Sequence, residues 1–336
     1  MLCCNIELAT ALGSSDASGG GRAHRRNGEI KVTISSIATR QNEPHVLELQ
    51  WARRVLYGSV KRFQGLLVAL TILMPVLSAI IAEYWPARKA WVALAALVIG
   101  CLDAAFLDRW IKKRMKEGAR LQEEFDCYAF NLPWNRFLAG AKVDHEDVAR
   151  LTKTRVSDEV EASFLDWYAP SVAEIPLHAG RVACQRSNLW FDLRLRSSYI
   201  TFICFSLGIL VVAALALAIW QDRQFASVIL TGAVPLTPFV LWALRERNRQ
   251  SDAVALVERL KAQAEKLWDE IIGGASEESL AELSRELQDA IFSHRASSPL
   301  IFDWFYTASR TQLESDMVQG AEYWVKNFKA AKRVEA

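Results

Sequence analysis

The chain has few of the residues that build catalytic or metal centres. Its 336 residues include only five histidines, and these are dispersed. His145 sits in "DHED" with no partner at ligand spacing, so a solvated helix start is the simpler reading. His178 and His294 have no partner that sequence can name. The six cysteines (Cys3, Cys4, Cys101, Cys127, Cys184 and Cys204) form no CxxC pair. That excludes a zinc pattern and a disulfide framework and fits thiols in a reducing compartment. No GxxxxGK[ST], GxSxG, HExxH or strand-borne GxGxxG is present. The expectation is a protein that is not an enzyme and uses neither cofactor nor metal. Residues 1–33 show no apolar core of a secretory signal and read as a disordered lead rich in Ser, Gly and Ala. Alternating strand patterns are missing too, so the predicted class is all-α.

Charge is also missing, but only in four places. The whole chain carries 40 Lys and Arg against 38 Asp and Glu. The windows 65–85, 90–107, 197–221 and 224–244 are almost free of ionisable groups, for example "GLLVALTILMPVLSAIIA" from residue 65. A bilayer core takes about 20 apolar helical residues. The windows therefore predict four transmembrane helices in two hairpins. The hairpin loops "EYWPARK" and "QDR" offer Arg88, Lys89 and Arg223, whereas the opposite flanks are richer in cations. Those flanks carry Arg53, Arg54, Lys61 and Arg62, then Arg109 to Lys116, then Arg194 and Arg196, then Arg245, Arg247 and Arg249. The positive-inside rule places both termini and the 108–196 segment in the cytoplasm.

The cytoplasmic parts, 34–64, 108–196 and 245–336, read as helical. Asn42-Glu43-Pro44 resembles a helix start with Asn42 as cap. Pro133 stops the helix that leaves the second span. A helix from Pro176 feeds the third span. Ala253, Val257, Leu260, Ala264, Leu267 and Ile271 make an a/d seam about three heptads long. The seam suits either a coiled coil between copies or packing within the chain. Gly273-Gly274 closes that helix, Ser276 caps the next, and Ser298-Pro299 starts the last.

Some positions call for more than packing. Asp103 is a carboxylate in an apolar window, costly at about 3 kcal/mol, and is either functional or close enough to the interface to snorkel. Pro75, Pro235 and Pro238 break backbone hydrogen bonds in their spans and act as hinges or fixed bends. Trp134-Asn135 and the "CQRSNLWFDLRLR" segment (184–196) form a more specific set. Arg forks suit phosphate, amides suit base edges and rings stack on bases. The plain alternative is a cationic collar before a span, with Asp192 pairing Arg196 one turn on. Basic and acidic groups nearly balance over 108–196, which excludes a broad nucleic-acid face but leaves room for a compact anionic ligand.

These motifs together resemble one family. "RQN" (40–42), "LPWN" (132–135), "WYAP" (167–170) with Pro176, "CQRSNLWFDLRLR" and "SPLIFDWFYTASR" (298–310) followed by Glu314 stand in order around four spans. The chain from Ile34 to Arg333 is similar to the SMODS-associating four-transmembrane effectors. The resemblance implies a role in cyclic-oligonucleotide (CBASS) anti-phage defence at the bacterial inner membrane. A partner nucleotidyltransferase makes a cyclic di- or oligonucleotide. The effector binds it on the cytoplasmic side, and its membrane helices assemble as a homo-oligomer or open in the bilayer. The leak then kills or arrests the infected cell. The resemblance and the residue chemistry nominate Arg40, Gln41, Trp134, Asn135, Trp167, Tyr168, Gln185, Arg186, Asn188, Asp192, Arg194, Arg196, Trp304 and Arg310 for ligand binding or coupling. Of these, Arg186 and Asn188 stand foremost as readers, and Arg194 and Arg196 as anchors. Asp103, Pro75, Pro235 and Pro238 are the pore or gating candidates. A membrane scaffold that recruits a cytoplasmic protein and a small transporter are the competing readings.

Overall fold

Three helices in the computed structural model are longer than a bilayer is thick. The structure describes residues 36–88, 106–153, 158–220 and 234–334, together with 90, 91, 94, 95, 97 and 98. The 1–33 lead, Asp103, most of the second window and the start of the fourth lie outside the described residues. Every regular element among the described residues is helical. The α-helices are α1 (Ile37–Arg40), α2 (Pro44–Tyr84), α3 (Asp108–Phe130), α4 (Arg136–Ala139), α5 (His145–Thr152), α6 (Asp158–Ala162), α7 (Leu177–Trp220), α8 (Val234–Ile272), α9 (Glu277–Ser297) and α10 (Asp303–Val334). Short 3-10 turns occupy Pro86–Arg88 and Pro170–Glu174.

α2, α7 and α8 contain 41, 44 and 39 residues. At 1.5 Å per residue each spans roughly 60 Å, about twice a hydrocarbon core. Each joins an apolar window to a charged, packed half without a break. α7 shows this best. Its half up to Arg196 buries Ala179, Val182, Ala183, Leu189 and Leu195. Beyond Ser197 it exposes Phe205, Ile209, Val212, Leu215 and Ile219. Leu177–Ala213 is the one described helix long and apolar enough to cross a membrane, and only 22% of its apolar window is buried in the protein. A soluble core helix would bury most of such a window, because exposed apolar surface is unfavourable in water.

The charged halves build a helical bundle. α7 packs on α8, α9 and α10, and α3 packs on α2 and α9. The seam at Ala253, Val257, Leu260, Ala264, Leu267 and Ile271 is buried within the chain. Val257, Leu260 and Ala264 cluster with Leu189 of α7 and with Leu287 and Ile291 of α9. Of the two readings open for the seam, internal packing is the one observed.

Helix ends follow local chemistry, with two corrections. Ser276 caps α9 by accepting from the Ser279 amide, as expected, and Gly274 takes φ +81° just before it. Asn42 is not a cap. Glu43 holds the cap position of α2, and the Asn42 amide is drawn instead to Asp166, donating to its carboxylate (2.8 Å) and accepting from its backbone N–H (2.9 Å). The last helix starts at Asp303, not at Ser298-Pro299. The Ser298 amide still donates to His294 O and ends α9, and the Pro299 carbonyl accepts from Arg196. α3 stops at Asn131 in a left-handed conformation, two residues before Pro133, and Arg181 of α7 donates to the Phe130 carbonyl.

Candidate ligand cavity

Beside the charged half of α7, at Asn188 to Arg196, a cavity of about 420 Å³ opens between α2, α7 and the α9–α10 corner. α2 packs on α3, α5 and α8, so the cavity stands between α2 and α7. A second lobe of about 390 Å³ adjoins it, and both lobes are bordered by Trp167, Asn188, Phe191 and Arg310. The size suits a small ligand.

The wall of the first lobe is cationic and aromatic. Arg53, Arg54, Lys61, Arg196, Arg295 and Arg310 line it, against the carboxylates of Asp192 and Asp303. Most of these cations are already matched. Lys61 pairs with Asp303 at 2.6 Å, Arg310 with Glu314 at 2.5 Å, and Arg295 with buried Asp126. Arg196, 7% exposed, holds Asp192 at 2.9 Å, Gln250 at 2.7 Å and the Pro299 carbonyl at 2.9 Å. Arg53 and Arg54 differ. Among the described residues no carboxylate pairs with either. Arg53 lies over the Trp167 ring at 4.8 Å and Arg54 over Phe164 at 5.9 Å. Burial holds the Arg53 guanidinium below its ordinary value, although an arginine stays charged. Two buried polar atoms of the wall, Trp167 Nε1 and Gln122 Oε1, have no hydrogen-bond partner. Unpaired buried polar atoms are rare in folded proteins and mark a place where a partner is missing.

His294 also borders the cavity. Its Nε2 lies 2.7 Å from Asp192 Oδ2, and Ser298 Oγ lies 2.9 Å from Nδ1 and 3.2 Å from Nε2. A hydroxyl nearly equidistant from both ring nitrogens sits over the ring rather than on a lone pair, so this is not the arrangement of an activated nucleophile. Burial opposes ionisation of Asp192, but Arg196 and His294 outweigh it and hold the carboxyl well below its usual range. The group is an anionic clamp between α7 and α9.

The structure divides the sequence candidates into groups. Trp167, Asn188, Asp192, Arg196 and Arg310 line the cavity. Gln41, Tyr168 and Gln185 belong to a buried network instead. Gln41 bridges the Tyr168 backbone through Nε2 (3.0 Å) and Oε1 (2.7 Å), and Tyr168 donates to Asp126 (2.6 Å). Burial first, then Asp126, raises the Tyr168 hydroxyl well above its ordinary value, so it remains a donor. Gln185 joins Ser284 and Gln288 of α9. Arg40 donates to the Tyr128 carbonyl, Trp134 to that of Gly140, and Asn135 caps α4. Arg186 pairs with Glu265 at 3.1 Å on another face. Arg194 is exposed over the Trp190 ring at 6.0 Å. Trp304 is exposed and packs edge-on against Phe202 at 5.2 Å, at the start of the apolar half of α7. Pro238 lies inside α8, and Pro75 falls within α2.

Sequence reasoning did not nominate Arg53, Arg54, Tyr57, Lys61, His294 or Arg295. Their signal was present on α2: Arg53, Arg54, Tyr57 and Lys61 recur at helical spacing on one face. The same cations satisfy the collar pattern of a span, which concealed the face.

With this geometry in view, similarity to known proteins narrows the identity. No solved structure matches the chain. A probable CBASS effector molecule of Bacillus cereus (strain VD146) is 25% identical over 293 residues, covering 83% of this chain and 95% of the relative. The family model for the SMODS-associating 4TM effector domain matches residues 35–324, nearly all of the bundle and its helical extensions, and the chain belongs to that family.

Proposed function

We propose that the protein is a CBASS-type membrane effector gated by a cyclic di- or oligonucleotide in the α2–α7 cavity. The observation that carries this is the surplus of unpaired cation and aromatic surface there. Arg53 and Arg54 suit phosphate oxygens, Trp167, Phe164 and Tyr306 suit base stacking, and the free Gln122 Oε1 suits a base amino group. The name of the Bacillus cereus relative, a probable CBASS effector molecule, points to the same pathway.

Gating follows from where the walls lead. α2 and α7 run from the cavity into apolar windows. The α9–α10 corner packs Phe302 and Phe305 on Tyr199 of α7, and Phe302 on Trp242 of α8. A ligand that binds better when α2 and α7 close on it shifts the helices entering the membrane, and only that differential affinity drives the shift. In this reading four spans cross the inner membrane with both termini in the cytoplasm. Copies assemble, the bilayer leaks, and no bond in the ligand is made or broken. A neighbouring nucleotidyltransferase supplies the ligand.

Purified protein in dye-loaded liposomes tests this against a panel of cyclic di- and trinucleotides, with binding followed by calorimetry. Leakage with one of them, lost in Arg53→Ala, is the expected result. Silence across the panel in both assays would sink the proposal. The scaffold reading loses its motive, because the seam that suggested it is used inside the chain.

A further inference from the structure

Phe137 is displayed rather than packed. It sits in the four-residue α4 with its ring fully exposed, between exposed Arg136 and Leu138. So short a helix does not hold itself together. It is braced by its surroundings: Asn135 Oδ1 accepts from the amides of Phe137 and Leu138, and Asn135 Nδ2 donates to Asp289. Trp134 Nε1 donates to Gly140 O, and Arg120 Nε donates to Ala139 O at 2.9 Å. All this rigidity holds an aromatic ring in water, with no ring contact among the described residues to offset its exposure. Arg136 likewise has no ion-pair partner among the described residues.

A matching depression lies on another face. A groove of about 280 Å³ runs between α7 and α10, lined among others by Arg186, Trp190, Asp316, Gly320, Tyr323 and Trp324. Neither α4 nor α9, against which α4 packs, contributes to it. Gly320 keeps its floor low, for a Cβ there meets only Arg186 Nη1 at 3.9 Å.

Knob and groove stand at the same height along α7. Asn135 ties the knob to Asp289 of α9 at 2.8 Å. α9 is registered on α7 by Gln185 with Gln288 (3.1 Å) and by Asp192 with His294 (2.7 Å). Asp289, next to Gln288, therefore stands level with the 185–192 interval of α7, which holds Arg186 and Trp190. The knob, through Asp289, and the groove, through Arg186 and Trp190, thus share one level of α7. Copies inserted in one membrane share its normal. A side-to-side contact between them requires its two halves at equal height, and these are.

We infer that Phe137 of one copy docks in the α7–α10 groove of a second copy, with Arg136 facing Asp316. Aromatic and arginine side chains are the usual anchors of such contacts. The two surfaces are different, so the contact is heterologous and repeats around the membrane normal as a ring or an open arc. The inference rests on α7 crossing the membrane, and not on which ligand fills the cavity.

The test co-expresses two differently tagged full-length chains, Phe137→Cys and Tyr323→Cys, in bacterial membranes and treats them with a short bis-maleimide. A heterodimer that requires both new cysteines is expected. Pairs lacking one of them read the background of native thiols such as exposed Cys204. Filling the groove by Gly320→Leu in the Tyr323→Cys chain lowers the heterodimer about tenfold. Resistance to carbonate extraction and an unchanged melting temperature show each variant inserted and folded. Heterodimer no greater than background, indifference to Gly320→Leu, or preferential Phe137→Cys self-pairing would each overturn the inference. Release by carbonate overturns it differently, by removing the membrane reading and with it the shared height.

Discussion

Two polar regions lie side by side in this bundle and are satisfied to different degrees. Between α3 and α9 the buried charges are matched in ion pairs, although Arg285 Nε itself has no hydrogen-bond partner. Glu123, 2% exposed, pairs with Arg285 at 2.5 Å and accepts from Gln288 at 2.8 Å. Fully buried Asp126 accepts from Arg295, Tyr168 and Gln288. In the cavity beside it, Arg53 and Arg54 face aromatic rings and two wall atoms lack partners. A paired buried charge is explained by the fold that contains it. An unpaired cation lining a hollow is not, and so the cavity is the place to look for a ligand. Arginine in a motif that resembles a family's is a weaker guide than arginine without a carboxylate.

The contrast can be broken by mutations, and the matched side gives the largest effect. Arg285→Met leaves Glu123 buried without its cation and costs about 3–5 kcal/mol. Denaturant unfolding measures that loss, while ligand affinity per folded molecule is unchanged. Glu123 bears on pH as well: burial raises its pKa despite Arg285, so its contribution is complete below its unfolded pKa and declines as pH rises through the folded one.

On the unmatched side the signs reverse. Arg53→Ala weakens binding of the activating cyclic nucleotide by about 30- to 100-fold, roughly 2–3 kcal/mol for a charge-assisted contact. Its melting temperature stays near that of the parent, since no ion pair is lost. A fall in stability with intact binding would reassign Arg53 to the structural side.

Asp192 sits on the boundary, touching both regions. Its folded pKa is depressed, so its stabilisation is present above its unfolded value near 4 and is lost as pH falls. Asp192→Asn costs about 1–3 kcal/mol at pH 7. The gap to the parent narrows as melting is followed from pH 5 to pH 3. The smallest effect belongs to Arg194, exposed and away from the cavity: Arg194→Ala changes stability by less than about 0.5 kcal/mol. A large loss of ligand response in Arg194→Ala would extend the site beyond the cavity.

Much of the architecture was legible because it is local. The 3.6-residue period located α8 and its seam, Ser276 announced α9, and the run from Pro176 without a breaker announced α7. The i,i+4 pairing of Asp192 with Arg196 was legible for the same reason. Asn42 was misread because its amide bonds Asp166, 124 residues away. The candidate motifs mixed two populations. Gln41, Tyr168 and Gln185 share a recurring pattern with Trp167 and Asn188, but only the latter pair borders the cavity.

By itself the sequence determined the helical class, the apolar windows and the cationic flanks, because hydropathy and helical period are properties of neighbouring residues. Which cations are neutralised was decided only in three dimensions. Arg295 meets Asp126 across 169 positions, and Arg285 meets Glu123 across 162. Arg53 meets the ring of Trp167 and, among the described residues, no carboxylate. Charge can be counted along a chain, but its partner is set by packing.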